Sequence, residues 1–298
     1  MTRPCPICGE QGSAEIWAED GWKLVRCPTC DLVFVGNPPE DDSVGDLYTA
    51  PEFHAELTTG DADGDSIAER TARGHLGDME RAGAAPRPGR NRLLDVGSAA
   101  GHFLGVARDA GWLVHGVELN DATANIARNR GFDVLTGTIG DLVDHRATGD
   151  NDLFDVVTMW DVIEHVTDPV QLLEQTRDLL SPEGELWIAT PNVDGLFPRA
   201  SYRVARRAGR WPHPEPPYHL SQFSERTMRN ALARAGFPDV TVRQERIPLS
   251  YTFGKPRTVL AEPLRLAYSA VFAPIAVVGP YVNRGDTMVL RARPARGL

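Results

Sequence analysis

Short, almost continuous apolar runs alternate with helical patterns in the middle of the chain. Strands buried on both faces lack the polar–apolar alternation of half-exposed strands, so such runs predict a parallel sheet covered on both sides. Strand and helix in series then predict a doubly wound α/β architecture. The runs are Leu93–Val96, Leu113–Val117, Asp133–Thr136, Phe154–Met159 and Glu185–Thr190.

Two of the predicted helices have recognisable ends. The first follows Asp168, whose side chain can cap a helix, has Pro169 at its first position and stops at residues 181–184. The second follows the capping residue Ser224 and ends on Gly236. The segment between the two helices is irregular and rich in proline and arginine.

A run of 17 apolar residues, Leu266–Val282, lies before the last predicted strand, Thr287–Arg293. A helix that spans a bilayer needs about 20 apolar residues, so the run is not expected to be transmembrane. Four interpretations stay open: core packing, a dimer face, a wall for an apolar substrate, or contact with a membrane surface.

Arginines cluster after the strand that ends at Thr190. Arg199, Arg203, Arg206 and Arg210 fit one helical stripe. Such a stripe can bind phosphate, carboxylate or an anionic membrane, although a solvated helix face is the commoner explanation. Together with the apolar run, the stripe is compatible with an anionic or lipid-linked substrate.

The whole chain of 298 residues is acidic, with 31 basic and 41 acidic residues and a net charge of −10. This balance argues against binding of nucleic acid mainly through electrostatic attraction, and no DNA partner is expected. The N-terminus carries no apolar secretory segment, so a cytoplasmic protein with reduced thiols is expected.

Four cysteines occur as two Cys-x-x-Cys pairs near the N-terminus. Cys5 and Cys8 form the first pair, and Cys27 and Cys30 the second, with 18 residues between the pairs. This spacing is typical of four-thiolate zinc sites, and Gly9 allows the tight turn after the first pair. Four thiolates leave no coordination position open, so a structural Zn²⁺ is predicted. A rubredoxin-like iron site and a redox dithiol are the alternatives.

A loop of small residues follows the first strand of the predicted sheet. It contains Gly97 and Gly101, and Glu118 ends the next strand, where an acid can accept hydrogen bonds from both hydroxyls of a ribose. The dinucleotide fingerprint G-x-G-x-x-G is not matched, because Ala99 and His102 occupy its second and third glycine positions.

With Asp95 two residues before Gly97, the loop resembles the D/E-x-G-x-G-x-G motif of class I S-adenosylmethionine-dependent methyltransferases, with Ala99 at the middle glycine. The resemblance runs from about Leu93 to Arg293. It implies a Rossmann-like, doubly wound, seven-stranded sheet that binds S-adenosylmethionine. The cofactor contacts that it implies are Asp95, Gly97, Ser98, Gly101, Glu118, Leu119, Thr138, Ile139 and Trp160.

The segment from Phe154 to Val166 resembles the F-D-x-V-x-x-x-x-V-L-E-H-V segment of small-molecule methyltransferases, including ubiquinone-type O-methyltransferases. Asp161, Glu164 and His165 stand at i, i+3 and i+4, where they could converge. In ubiquinone-type relatives an E-x-x-E-H triplet is associated with a divalent metal. A base role for His165 and simple packing of the helix start are the alternatives.

Tyr218 and His219 form a second candidate site. Their segment resembles the E/Y-H-x-x-x-F-S segment of many small-molecule methyltransferases. In sugar C-methyltransferases, which also carry an N-terminal Cys-x-x-Cys domain, a Tyr and a His near this place face the substrate. The resemblance implies substrate-facing residues here, with His219 as a candidate base, although no acid directly precedes this histidine.

The sequence therefore predicts methyl transfer from S-adenosylmethionine to an oxygen or carbon of a small molecule, such as a glycosidic, polyketide-like or lipid-linked metabolite. A homodimer and peripheral membrane contact are compatible with it. Two alternatives stay open: an RNA methyltransferase that uses the zinc module for recognition, and a non-catalytic protein that retains the fold.

Three regions are predicted. Residues 1–38 form a zinc-ribbon-like module, residues 39–90 an acidic linker with a helical segment, and residues 91–298 the methyltransferase domain. Within this domain we expect a lid over residues 192–223 and an apolar insertion over residues 250–284.

Overall fold

The computed structural model describes residues 2–39, 62–146, 153–208, 215–247, 249, 253 and 262–295. Part of the predicted linker, Arg210 and most of residues 250–261 lie outside this set. The described residues form two sheets, one of four strands and one of seven.

The strands follow one another along the chain as β1 (Ala14–Glu19), β2 (Trp22–Arg26), β3 (Val33–Val35), β4 (Arg92–Val96), β5 (Leu113–Glu118), β6 (Asp133–Thr136), β7 (Phe154–Trp160), β8 (Leu180–Pro191), β9 (Ser221–Gln222), β10 (Asp239–Glu245) and β11 (Thr287–Arg293). The helices are α1 (Ala62–Arg81), α2 (His102–Asp109), α3 (Asp121–Asn129), α4 (Ile139–Arg146), α5 (Pro169–Leu179), α6 (Leu196–Ala208), α7 (Glu225–Arg234) and α8 (Pro263–Val278).

The seven-stranded sheet has the order β10-β11-β8-β7-β4-β5-β6. Strands β4 to β8 run parallel, and β11 pairs antiparallel with both β8 and β10. Six of the seven residues of the central strand β7 are buried, which explains its continuous apolar run. The predicted α/β fold class is confirmed, and the carboxyl ends of β4, β5 and β7 meet at one edge of the sheet.

Strand β8 is longer than the sequence predicts. Residues 181–184 were expected to be a loop, but the strand begins at Leu180, which pairs with Phe154. The register then shifts, so that the next pair is Val156 with Glu185. The intervening residues therefore form an irregularity within the strand rather than a connection before it.

Both predicted helix starts are capped as expected. The Asp168 side chain accepts a hydrogen bond from the backbone N–H of Gln171 at the start of α5. Ser224 and Thr227 form a capping box at the start of α7. Each cap follows a predicted site segment in the chain: Asp168 comes three residues after His165, and Ser224 five residues after His219.

The four-stranded sheet, which we call the cysteine sheet, has the antiparallel order β1-β2-β3-β9. Its fourth strand comes from residues 221–222, far from the N-terminus in sequence. Its buried Phe34 and the adjoining Cys27 belong to one continuous apolar core with Leu94 and Phe223, which lie in the region predicted as residues 91–298. The cysteine sheet is therefore built jointly by the N-terminal module and the predicted lid.

The apolar run forms α8 and a short 3-10 turn, Gly279–Val282. One side of α8 packs on α6, where Phe272 and Ala276 contact Phe197. Of the described helices, the one over Arg265–Val282 is long and apolar enough to cross a membrane by length and composition, and 17% of it is buried. Core packing thus accounts for only one side of this helix.

Candidate cofactor and acceptor site

The loop between β4 and α2 has three residues in the left-handed region. Gly97 has φ 73°, Ala99 φ 46° and Gly101 φ 79°. A Cβ on Gly97 would lie 2.6 Å from a methyl group of Val162, so the loop is also too tight for a side chain there. The alanine at the middle glycine position keeps the loop shape but adopts a backbone conformation that costs a non-glycine residue roughly 1–2 kcal/mol.

Glu118 closes this loop from the end of β5. Its Oε2 accepts a hydrogen bond from the backbone N–H of Ala99 at 2.9 Å, and its Oε1 accepts one from Asn120 N–H at 2.9 Å. Each carboxylate oxygen has two lone pairs, so both keep the capacity to accept a hydroxyl. The arrangement fits the ribose of S-adenosylmethionine.

Asp95, at the first position of the motif, is buried below the loop. Its Oδ1 accepts a hydrogen bond from the Thr158 hydroxyl at 2.6 Å. Burial raises the pKa of the Asp95 carboxyl to about 7, and the charge of Glu118 adds to the rise, while the Thr158 hydrogen bond lowers it. This carboxyl links β4 to β7 across the sheet.

The other predicted cofactor contacts occupy different environments. Ser98 is buried, and its hydroxyl occupies the space that a Cβ on Gly116 would fill. Leu119 is 39% exposed and Ile139 is buried. Thr138 donates from both its backbone N–H and its hydroxyl to Asp141, each at 2.7 Å, which fixes the start of α4.

Trp160, at the end of β7, lies between two other rings. Its ring is stacked on His75 of α1, with centroids 4.0 Å apart and an angle of 2°, and Phe103 meets it edge-on. The Trp160 indole N–H is buried and has no hydrogen-bond partner among the described residues, which suits a bound polar group. The sequence analysis did not identify His75, because nothing in its surrounding sequence distinguishes it.

Burial lowers the pKa of His75 to about 4. The nearby charges of Glu245 and Arg243 act in opposite directions. His75 is therefore neutral at physiological pH, and its ring acts as a flat apolar cover on Trp160.

His165 ends the 3-10 turn Ile163–His165 that follows β7. Its Nδ1 lies 2.9 Å from the carbonyl oxygen of Tyr218. Burial lowers the pKa of His165, while the hydrogen bond to Tyr218 raises it. The structure therefore brings together two of the predicted catalytic residues, with the main chain of Tyr218 in contact with the His165 ring.

His219 lies against His165, with ring centroids 4.8 Å apart at 65°. Its Nε2 is 3.8 Å from Oε2 of Glu215. No acid stands directly before this histidine, but Glu215, four residues earlier, supplies a carboxylate. The pairing of Glu215 with His219 could not be predicted from the sequence, because Pro216 and Pro217 argue against a helix that would bring positions i and i+4 together.

Glu164 completes what we call the histidine cluster: Glu164, His165, Glu215 and His219. Its Oε2 accepts from the Thr190 hydroxyl at 2.9 Å, and its Oε1 is buried with no hydrogen-bond partner among the described residues. Burial raises the pKa of the Glu164 carboxyl to about 7. One ligand atom each from Glu164, His165 and His219 lies within 4.8 Å of the others.

Asp161, the first member of the predicted triplet, is not one of these three ligands. It has φ 54°, and its backbone N–H donates to the Ala189 carbonyl at 3.0 Å. Asp161 is exposed as a residue, but desolvation of its carboxyl by the surrounding protein raises its pKa to about 7, and the charge of Glu164 adds to the rise. His219 takes the third place that the sequence analysis gave to Asp161.

The four cysteines converge as predicted. The Cys5 and Cys30 sulfurs are 3.4 Å apart, the Cys8 and Cys27 sulfurs 3.5 Å, and all four lie within 4.8 Å of one another. Four sulfurs around a tetrahedral zinc ion lie about 3.8 Å apart, so the group fits Zn²⁺. The residue after each pair, Gly9 or Asp31, is left-handed, and its N–H closes the turn.

The chain matches the Methyltransferase domain family over residues 69–242, more than half of its length. The ubiquinone biosynthesis O-methyltransferase of Actinobacillus pleuropneumoniae serotype 5b is 30% identical over 107 residues, 34% of this chain and 46% of that protein. That of Haemophilus ducreyi is 29% identical and is covered to 45%. The chain therefore matches less than half the length of these relatives.

Two solved structures show the likeness in fold. A SAM-dependent methyltransferase from Archaeoglobus fulgidus has a TM-score of 0.52 at 15% identity, over 81% of this chain and 97% of that one. Magnesium protoporphyrin IX methyltransferase from Synechocystis, with SAH bound, has a TM-score of 0.53 at 13% identity, over 86% and 100%. The chain belongs to the methyltransferase domain family, and its fold is that of S-adenosylmethionine-dependent methyltransferases.

Proposed function

We propose that the protein transfers a methyl group from S-adenosylmethionine to an oxygen or carbon of a small-molecule acceptor. The observation that carries this proposal is the histidine cluster, in which Glu164 and His165 follow Trp160 at the end of β7 and His219 lies against His165. Methyl transfer requires the acceptor atom in line with the sulfonium and, for a protonated acceptor, a base. The histidine cluster supplies such a base next to the candidate cofactor loop.

S-adenosylmethionine, when bound, supplies an electrophilic methyl group whose sulfur leaves with the bonding electrons. Glu118 would hold the ribose hydroxyls, and the loop from Gly97 to Gly101 the methionine part. His219 would take the acceptor proton, and the Glu215 carboxylate would stabilise the imidazolium. His165, held through Nδ1, would orient the acceptor.

A metal-assisted variant is the second candidate, because Glu164, His165 and His219 bring ligand atoms within 4.8 Å of one another. One carboxylate and two imidazoles form a donor set for a divalent transition metal. Such an ion would lower the pKa of an acceptor hydroxyl. Loss of activity with EDTA at neutral pH, and its return with Mn²⁺, Mg²⁺ or Zn²⁺, would favour this variant over a purely organic base.

The cysteine site is proposed to hold a structural Zn²⁺. All four ligands are thiolates, three of these cysteines are buried, and no position remains open for a substrate. Beside it, Arg3 donates to the Thr167 carbonyl at 3.1 Å, close to His165. The module therefore supports one wall of the acceptor site.

For the acceptor, we propose an anionic or lipid-linked metabolite, with the arginines of α6 as the basis. The test is transfer of labelled methyl from S-adenosylmethionine in an extract of the source organism, followed by separation of aqueous, organic and macromolecular fractions. Label in an aqueous or organic small molecule supports the proposal. Label in RNA would instead support the alternative in which the zinc module recognises nucleic acid. No label in any fraction, with labelled S-adenosylmethionine still present in the assay, would favour a non-catalytic protein.

A further inference from the structure

Beyond Arg265 in its first turn, helix α8 carries no charged residue on its exposed side. Ala267, Ala270, Val271, Pro274 and Val278 are all exposed and recur at i, i+3, i+4, i+7 and i+11, which places them on one side of the helix. Helices on the surface of globular proteins normally turn polar residues to water on this side. The side of α8 that faces water is therefore apolar where a polar face is expected.

The apolar surface continues beyond both ends of this pattern. We call the exposed large apolar residues of α8 and the 3-10 turn after it the apolar strip: Leu266 (41% exposed), Val271 (60%), Val278 (48%), Tyr281 (86%) and Val282 (53%). Scattered exposed apolar residues are ordinary, but such a concentration along one helix and the turn that continues it marks an interaction surface.

The other side of α8 is fixed to the protein. Its Tyr268 and Phe272 rings lie 6.3 and 5.6 Å from the Phe197 ring of α6. Ala276 is buried in the same cluster. A helix packed along its length on a neighbouring helix can lie on a bilayer surface, but it cannot cross the bilayer without leaving that packing.

The helix that packs on α8 carries basic side chains. Helix α6 contains no acidic residue, and its Arg203, Arg206 and Arg207 are exposed, next to Val204, which is 53% exposed. The protein as a whole has a net charge of −10, so this is a local concentration of positive charge. Arginines beside an apolar face complement an anionic lipid surface.

A second copy of the chain is a weaker match for this surface. A twofold contact through the same patch would bring the arginines of one α6 towards those of its partner. An anionic bilayer offers both a hydrocarbon boundary for the apolar strip and opposite charges for the arginines.

The chain enters α6 and leaves α8 at the same edge of the sheet. Helix α6 starts soon after β8 ends at Pro191, which pairs with Thr287 at the start of β11. The chain from α8 returns through Arg284, whose carbonyl accepts from Leu196 N–H at 2.9 Å. The connections of both helices thus meet at the end of β8, the strand that runs parallel to β7 in the sheet.

We propose that α6 and α8 dock on an anionic lipid bilayer, with the apolar strip at the acyl boundary and the α6 arginines on the headgroups. The histidine cluster would then lie near the membrane, where a lipid-linked acceptor could reach it without crossing water. This use of the docking surface rests on the proposed methyltransferase function, whereas docking itself does not.

The test is flotation of the purified full-length protein with vesicles, without cofactor or acceptor. Binding is expected to vesicles that contain phosphatidylglycerol, to be much weaker to phosphatidylcholine alone, and to decrease with salt. Val271→Asp combined with Val278→Asp is expected to weaken binding at least about tenfold, and Arg203→Glu combined with Arg207→Glu by a similar factor. Ile126→Asp on α3 and Arg234→Glu on α7 are the matched controls, which should bind as the wild type does.

Two results would overturn the proposal. One is no flotation with anionic vesicles at low salt. The other is a dimer in analytical ultracentrifugation that the Val271→Asp, Val278→Asp variant converts to a folded monomer, with no vesicle binding by either form. Circular dichroism establishes that each variant is folded. Failure of methyl transfer with intact vesicle binding would refute the proposed function and leave the docking surface in place.

Discussion

The imidazole of His165 donates from Nδ1 to the carbonyl oxygen of Tyr218 at 2.9 Å. This hydrogen bond joins the segment that carries His219 to the end of β7. One contact therefore ties the position of one histidine to that of the other.

Replacing His219 should remove the proton acceptor without touching the cofactor loop. We expect His219→Ala to lower kcat at least about 100-fold, the usual scale of a general base, with S-adenosylmethionine affinity unchanged. Labelled methyl transfer and calorimetric titration measure the two quantities. The matched control is His115→Ala, a half-exposed histidine on β5 paired with Asp133. Near-normal turnover of the His219 variant would exclude it from the mechanism.

Glu215→Gln should have a smaller effect in the same assay. Its carboxylate lies 3.8 Å from Nε2 of His219 and favours the imidazolium that forms when the ring takes a proton. We expect kcat to fall about tenfold and cofactor affinity to stay constant. Glu174→Gln, an exposed glutamate on α5, is the control. Equal losses in both variants would contradict the assigned role.

The cofactor loop can be relaxed by restoring its missing glycine. Ala99→Gly is expected to raise the free energy of unfolding by up to about 1 kcal/mol, because relief of the left-handed strain exceeds the added entropy of the unfolded chain. Ala99→Val should lower it by about 2 kcal/mol. Urea denaturation measures both. Ala100 does not have a positive φ, so Ala100→Gly should lower the free energy of unfolding. If Ala100→Gly instead raised it, backbone strain at Ala99 would not explain the effect of Ala99→Gly.

The sequence alone was sufficient for the sheet, the cysteine cluster and the loop, because each depends on a local pattern. Continuous apolar runs identify parallel strands, Cys-x-x-Cys spacing identifies a metal knuckle, and small residues identify a tight loop. The expected β8 was too short because Pro182 and Gly184 are normally loop signals, whereas here they occupy an irregularity inside the strand.

The parts that sequence could not predict depend on contacts between distant segments. His75 and Trp160 stack although they are far apart in the chain, and neither residue carries a periodic signal. Glu215 and His219 are brought together by a turn over residues 216–218, and the two prolines in this turn give no sign in the sequence that the pair would meet. Glu164, His165 and His219 meet only because Tyr218 and His219 lie against His165, more than 50 residues away in the chain.

The acid sensitivity of the protein should depend on His75. Its pKa is about 4 in the folded protein and about 6.5 in the unfolded chain, so the unfolded state gains a proton first as the pH falls. Stability attributable to this ring is complete above pH about 6.5 and is lost as the pH falls towards 4, by on the order of 1–3 kcal/mol.

His75→Phe keeps a flat ring on Trp160 but removes this titration. Its free energy of unfolding should exceed that of the wild type more at pH 5 than at pH 7.5, as measured by urea denaturation at both values. His115→Phe serves as the comparison. The same pH dependence in wild type and the His75 variant would show that other groups cause the acid sensitivity.

Removing one thiolate should release the metal and disturb the acceptor site. Cys27→Ser is expected to lower the metal content of the purified protein from about one zinc per chain towards zero, and to lower its melting temperature. Atomic emission spectrometry and calorimetry measure these changes. Thr29→Ala, inside the same Cys-x-x-Cys segment, should keep its metal. A Cys27 variant with full metal content would refute the four-cysteine site.

The strand Ser221–Gln222 has a consequence for how this protein can be rearranged by engineering or by evolution. It pairs with Val33 and Phe34 and begins two residues after His219. An N-terminal segment taken from a relative would therefore lack the fourth strand of its sheet. A protein without this segment would lose the strand β3 that holds residues 221–222, next to His219. The two parts can therefore be exchanged only together.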